Sequence, residues 1–188
     1  MIKKLVVLGL LLLVGDGCAT EDSGATEETQ KSQMVQESKR KIEKREVVDV
    51  VAENGEIFHY TLPKGWEKRV DEKSDFFASS SKEGVNIFIS DHGDFENFMA
   101  YQNAFIKGIE SLGDNMVEQG NTVGKAGMSG VEFVVEMDRE GQKFKTLMYV
   151  LETEKNYLEI HASTHRSRFD GNREVLKEAA DSLERAEK

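Results

Sequence analysis

Three consecutive segments in the second half of the chain share one period, and together they leave few folds open. Val131, Phe133, Val135 and Met137 alternate with Glu132, Val134, Glu136 and Asp138. Phe144, Thr146, Met148 and Val150 form a second inward set, and residues 157–163 make a third such segment. A repeat of two is the period at which a strand turns successive side chains to opposite faces. Residues 139–142 and 154–156, rich in charge, Gly and Asn, are the turns between them. Links this short join antiparallel neighbours and leave no room for a crossover helix, so the three form a meander.

The upstream half adds further strands. Residues 47–52 are β-branched and are followed by Asn54-Gly55, a turn signal. Phe58, Tyr60 and Leu62 then alternate with His59 and Thr61, a half-buried strand closed by Pro63. Residues 75–79 and 85–90 read as a strand pair, with Lys82-Glu83-Gly84 as the hairpin loop. Residues 116–123 add one short strand.

Two segments follow a helical period instead. Asp94 is the expected N-cap of the first, whose side chain accepts a backbone N–H. Phe95, Phe98, Met99, Gln102, Phe105, Ile106 and Ile109 then follow at three- and four-residue spacing, and Gly113 supplies a stop. Burial against a sheet accounts for this stripe without a cofactor. The second helix is expected over residues 172–186, with Val175, Leu176, Ala179 and Leu183 buried. Antiparallel runs with two helices point to an α+β fold rather than to parallel βαβ units.

The phrase Tyr60-Thr61-Leu62-Pro63-Lys64-Gly65-Trp66, the hairpin into a helix, the meander and the terminal helix resemble bacterial lipoproteins of the PsbP/Mog1-like fold, over residues 56–186. The resemblance implies an antiparallel sheet flanked by helices. It also implies a non-catalytic role as an assembly or accessory factor, and it carries no catalytic residue across.

The N-terminus states where such a domain works. Lys3 and Lys4 precede an apolar run at residues 5–14, and the sole cysteine is Cys18. This run is about half the roughly 20 residues that a spanning helix needs, so it reads as an export signal. A lone cysteine in an exported chain has no internal disulfide partner. Cys18 resembles the lipobox cysteine of bacterial lipoproteins of Gram-positive type, which takes diacylglycerol on sulfur and becomes the mature N-terminus. Gly17 fits that pattern, while Gly15 and Asp16 depart from it. Ordinary signal peptidase, cutting after Gly17 or Ala19, is the alternative, and it releases a secreted soluble protein. The expected organisation is therefore a signal peptide at 1–17, a polar tether at 18–46 and one domain at 47–188. Glu, Gln, Ser, Thr and Lys dominate the tether, and such a segment buries too little surface to offset its ordering entropy.

Charge narrows the partners. The formal net charge is −10, and removing residues 1–17 takes away Lys3, Lys4 and Asp16, a net +1, which leaves −11. Nucleic-acid phosphates repel such a chain, so no nucleic-acid partner is expected. The expected partners are the membrane, through Cys18, and a protein or small ligand at the envelope.

Candidate chemistry is sparse. Asp91, His92 and Asp94 form a loop that suits either an acid–base site of an envelope hydrolase or a turn with a helix cap. His161 and His165, with Glu159 nearby, have the four-residue spacing of metal ligands on a helix. On a strand that spacing separates them by more than about 10 Å, so a surface histidine pair is the expectation. Ser79, Ser80, Ser81 and Ser129 lack a nucleophile elbow, and the glycines of residues 120–130 suit tight turns and a bulge. Trp66 is expected to cover the end of the sheet. No catalytic residue, metal site or cofactor is assigned from these patterns, and Cys18 is the one assigned site.

Overall fold

A computed structural model describes residues 45–112, 116–125, 127–139 and 141–186. The signal segment, Cys18, the tether up to residue 44 and Gly113 lie outside the described residues. In chain order the elements are β1 (Val47–Val51), β2 (Ile57–Thr61), β3 (Glu67–Arg69), β4 (Phe76–Ser79) and β5 (Glu83–Asp91). There follow α1 (Phe98–Glu110), β6 (Met116–Lys125), β7 (Met128–Arg139), β8 (Gln142–Glu152), β9 (Asn156–His165), α2 (Phe169–Asp181) and β10 (Leu183–Arg185). Seven strands form one antiparallel sheet in the order β3-β4-β5-β9-β8-β7-β6. Three more form a second sheet in the order β1-β2-β10. This is the α+β architecture expected, with the meander β7-β8-β9 at its centre.

The large sheet is covered on both faces. Val85, Ile87, Leu147, Tyr149, Leu158 and Ile160 face Leu176 and Ala179 of α2 and Phe58, Tyr60 and Leu183 of the small sheet. Phe133, Val135, Met137, Met148 and Val150 face Tyr101, Phe105 and Ile109 of α1. Every residue of β9 except the last is therefore buried. A strand buried on both faces loses the inside–outside contrast that alternation reports. Trp66 is buried in the α2-side core, as expected of a residue covering the sheet.

Several local expectations are corrected. Asn97, not Asp94, caps α1, because its side chain accepts from Ala100 N–H at 2.9 Å. Asp94 instead ends a single 3-10 turn, His92–Asp94, whose cap is Asp91. Phe95 precedes α1, and Met99 is 71 % exposed. Tyr101, Phe105 and Ile109, four apart, are the buried stripe. The last helix is Phe169–Asp181, shorter at its C-terminal end than expected. Leu183 falls on the helical period, yet it lies on β10 and pairs with Tyr60. The free edge of β2 captures the chain there, and Thr61 N–H bonds Ser182 O at 3.0 Å. Glu83 and Gly84 belong to β5, so the hairpin loop before it is residues 80–82.

A polar lock ties the two sheets together at one end. Asn54, in the β1–β2 turn, donates to Asp91 Oδ2 at 3.0 Å and to Asn156 Oδ1 at 2.9 Å. Glu56 accepts from Asn156 Nδ2 and from Thr153 Oγ1, and its other oxygen lies 2.6 Å from Arg185 Nε. These partners offset the cost of burying the carboxylate.

Candidate functional site

The most concentrated polar chemistry lies beneath α1, on the large sheet. Strand register sets Asn86 of β5, His161 of β9, Met148 of β8 and Phe133 of β7 in one cross-strand row. Phe88, Glu159, Val150 and Val131 make the next row. Tyr101 descends from α1 onto this surface. Its hydroxyl donates to Glu159 Oε1 at 3.1 Å. The other oxygen, Oε2, lies 3.0 Å from His161 Nε2. An ionised carboxylate only accepts, so Nε2 carries the hydrogen. Phe88 and Phe105 pack on the imidazole at 5.0 and 6.2 Å between ring centroids. A second polar pair, Thr146 Oγ1 and Ser163 Oγ, sits 2.9 Å apart and buried. Asn86 Oδ1, also buried, has no hydrogen-bond partner among the described residues.

Burial, and then the charge of Glu159, pushes the Tyr101 phenol well above its ordinary value. Tyr101 thus stays a neutral donor, and the triad is a phenol, a carboxylate and an imidazole with fixed hydrogen-bond directions. It is closed over: His161 is 1 % exposed, and 11 % of the Glu159 side chain reaches the surface. The Tyr101–Glu159 bond adds a polar tie between α1 and the sheet to the apolar packing around it.

The same cause acts on all four tyrosines: burial is the largest reason that Tyr60, Tyr101, Tyr149 and Tyr157 are raised. Tyr60 adds a hydrogen bond to Ala179 O at 2.9 Å. A raised folded value means that the native state keeps protons which the unfolded chain releases near pH ~10. The stability is complete below that pH and is lost as pH rises through the folded values. Alkaline titration is therefore expected to show phenolate absorbance appearing together with loss of circular dichroism. Tyrosine ionisation near pH ~10 with the fold intact would contradict the burial of these phenols.

The residues singled out from the sequence fall in three places. His161 is buried, not at the surface as expected, because β9 is the central strand of a sheet covered on both sides. His165 is exposed at the end of the same strand and bonds Ser167 Oγ at 2.8 Å. The two histidines are not brought together. Among the described residues no group of three or more His, Cys, Asp or Glu is arranged to hold a metal ion. Asp91 accepts from Gly93 N–H at 2.7 Å and from Asn54 Nδ2 at 3.0 Å. These bonds, the first the larger, hold its carboxyl below the usual range. His92 stacks on Tyr157 with centroids 4.2 Å apart and turns Nε2 toward Glu152 Oε1 at 3.8 Å, beyond hydrogen-bond length. Asp94 is exposed. The loop is a 3-10 turn capped by Asp91, with His92 in an aromatic contact.

Tyr101 and Asn86 are the site residues that sequence reasoning missed. Tyr101 had a signal, since 101, 105 and 109 repeat at four. Asn86 had none, because it alternates with Val85 and Ile87 and reads as an outward polar position.

No protein-family model matches the chain, and no curated protein matches it in sequence. Solved structures do. The crystal structure of LpqN, involved in cell envelope biogenesis of Mycobacterium tuberculosis, is 10 % identical with a TM-score of 0.56. The match covers 74 % of this chain and 90 % of LpqN. Cyanobacterial PsbP (CyanoP) from Synechocystis is 15 % identical over 78 % of this chain and 96 % of its own, with a TM-score of 0.44. The Ran-binding protein Mog1p of Saccharomyces cerevisiae is 11 % identical over 74 % and 95 %, with a TM-score of 0.48. What the chain shares with LpqN is the fold. Among the described residues no helix is long and apolar enough to cross a membrane.

Proposed function

We propose that this chain is an accessory or binding module of the cell envelope, held outside the cytoplasmic membrane by a lipid on Cys18, and that it performs no catalysis. One observation carries the reading: the sole cysteine follows the apolar run at 5–14 almost at once, with a polar tether behind it. Diacylglycerol on Cys18 is the anchor that this layout serves. A random coil of the roughly 28 residues from 19 to 46 would reach about 30 Å. Its partners are then the membrane and a protein or small ligand near it.

Two further observations support the reading. The fold is shared with LpqN, a protein described as involved in cell envelope biogenesis. The titratable groups of the candidate site are also committed to one another, with Glu159 accepting from Tyr101 and paired with His161 beneath α1.

Replacing Cys18 by Ala tests the anchor. The wild-type chain is expected in the membrane fraction and the Cys18→Ala variant outside it, with equal circular dichroism, since Cys18 lies well before β1. Identical fractionation of the two would overturn the anchor.

A further inference from the structure

Among the described residues four strands stand at sheet edges, and the chain treats them differently. β3 is three residues long and entirely charged, Glu67-Lys68-Arg69. β6 is broken by a register shift between Gln119 and Thr122. β10 is also three residues long, and its Arg185 is held by Glu56 and Glu154. Brevity, charge and bulges are the devices that stop an edge from recruiting another strand. β1 has none of them except one residue. Its sequence is Val-Val-Asp-Val-Val, regular over all five positions against β2.

The phase of β1 is set at both ends. Leu62 N–H bonds Glu46 O, and Ala52 N–H bonds Glu56 O, both at 2.9 Å. Even-numbered residues therefore bond to β2, and the N–H and C=O groups of Val47, Asp49 and Val51 point away from it. The side chains of these same residues stand on the outer face of the small sheet. Val47 is 55 % exposed and Val51 is 58 % exposed, with Ile57 of β2 beside Val51 at 41 %. Between the valines the Asp49 carboxylate, 63 % exposed, lies 2.9 Å from His59 Nδ1.

We infer that the β1 edge accepts one extended strand of a partner protein, antiparallel to β1, with a Lys or Arg facing Asp49 and β-branched residues two places to either side. This inference rests on the binding-module reading and names the surface that would serve it. Asp49 decides the occupant. Two copies paired edge to edge about Asp49 set two carboxylates opposite each other, on chains that each carry a formal −10. A basic strand meets the same carboxylate as an attraction, and the two flanking valines receive its apolar neighbours.

The test uses the full chain and a synthetic peptide, acetyl-Ser-Val-Thr-Lys-Thr-Val-Ser-amide. Saturable binding is expected, with slowed amide exchange at Val47, Asp49 and Val51. Asp49→Lys is expected to weaken binding about tenfold, and a peptide with Glu for Lys is expected to recover it on that variant. Absence of saturable binding, or binding indifferent to both charge swaps, overturns the inference. So does a concentration-dependent dimer that protects β1 without peptide. Membrane fractionation of the Asp49→Lys variant keeps the two claims apart: an anchored variant that binds no peptide removes the edge alone and leaves the anchor standing.

Discussion

Replacing Gly130 with Ala is expected to destabilise the domain by about 4 kcal/mol or more, exceptional for a single substitution, because backbone itself must move. Gly130 lies in β7, between Val123 of β6 and Leu151 of β8. A Cβ built there would collide with the Val150 carbonyl oxygen and lie 2.8 Å from Leu151 Cα. Both obstacles are main chain in the strand that β7 pairs with, so no side-chain rotation relieves them. A domain of this size holds roughly 5–15 kcal/mol in total, so the variant should be largely unfolded or recovered as aggregate. Gly124→Ala is the matched control, since a Cβ there meets nothing within 4 Å. Urea denaturation of the two variants checks the claim. Equal midpoints would mean that β7 and β8 do not approach as described.

The second large effect concerns Glu159. Glu159→Ala is expected to cost about 3 kcal/mol, because it leaves the His161 Nε2–H as a buried donor without its carboxylate and takes the same acceptor from the Tyr101 hydroxyl, which keeps only Ser90. Glu159→Gln keeps one acceptor oxygen and is expected to cost about half as much. The pair of variants also separates structure from chemistry. If the triad only fastens α1, any loss of activity in cells follows the loss of stability across Ala, Gln and wild type. A Gln variant as stable as wild type, yet inactive in cells, would show that the carboxylate does chemistry, and the non-catalytic reading would fall.

The reach of the sequence follows from how each element is buried. The three strands of the meander were legible because they are long and their turns are short. The sidedness of β8 and β9 was not. Leu147, Tyr149 and Leu151 face one core while Met148 and Val150 face the other, so period two no longer separates inside from outside. The same double cover hid His161, which its polarity placed at the surface. α2 was readable from Leu176 and Ala179, but its end was not, because Leu183 satisfies a helical period and a strand pairing equally. Only the tertiary edge of β2 decides between them. At the start of α1, Asp91, Asp94 and Asn97 are all capable caps, and local sequence does not rank them. The Tyr101–Glu159–His161 chain joins residues 58 apart in sequence, which strand register brings together and no motif announces.

Where the mature chain begins and what it carries decide between a membrane-held and a secreted protein. The measurement that tests this most directly is the intact mass of the protein from the membrane fraction and the medium of expressing cells. A membrane species that begins at Cys18 and carries a diacylglycerol-sized increment is the predicted result. It would place partners within reach of the tether, where crosslinking in place can find them. An unmodified chain in the medium, beginning at Cys18 or Thr20, would contradict it. Asp16 would then have defeated lipid attachment, and the domain would act as a secreted soluble factor.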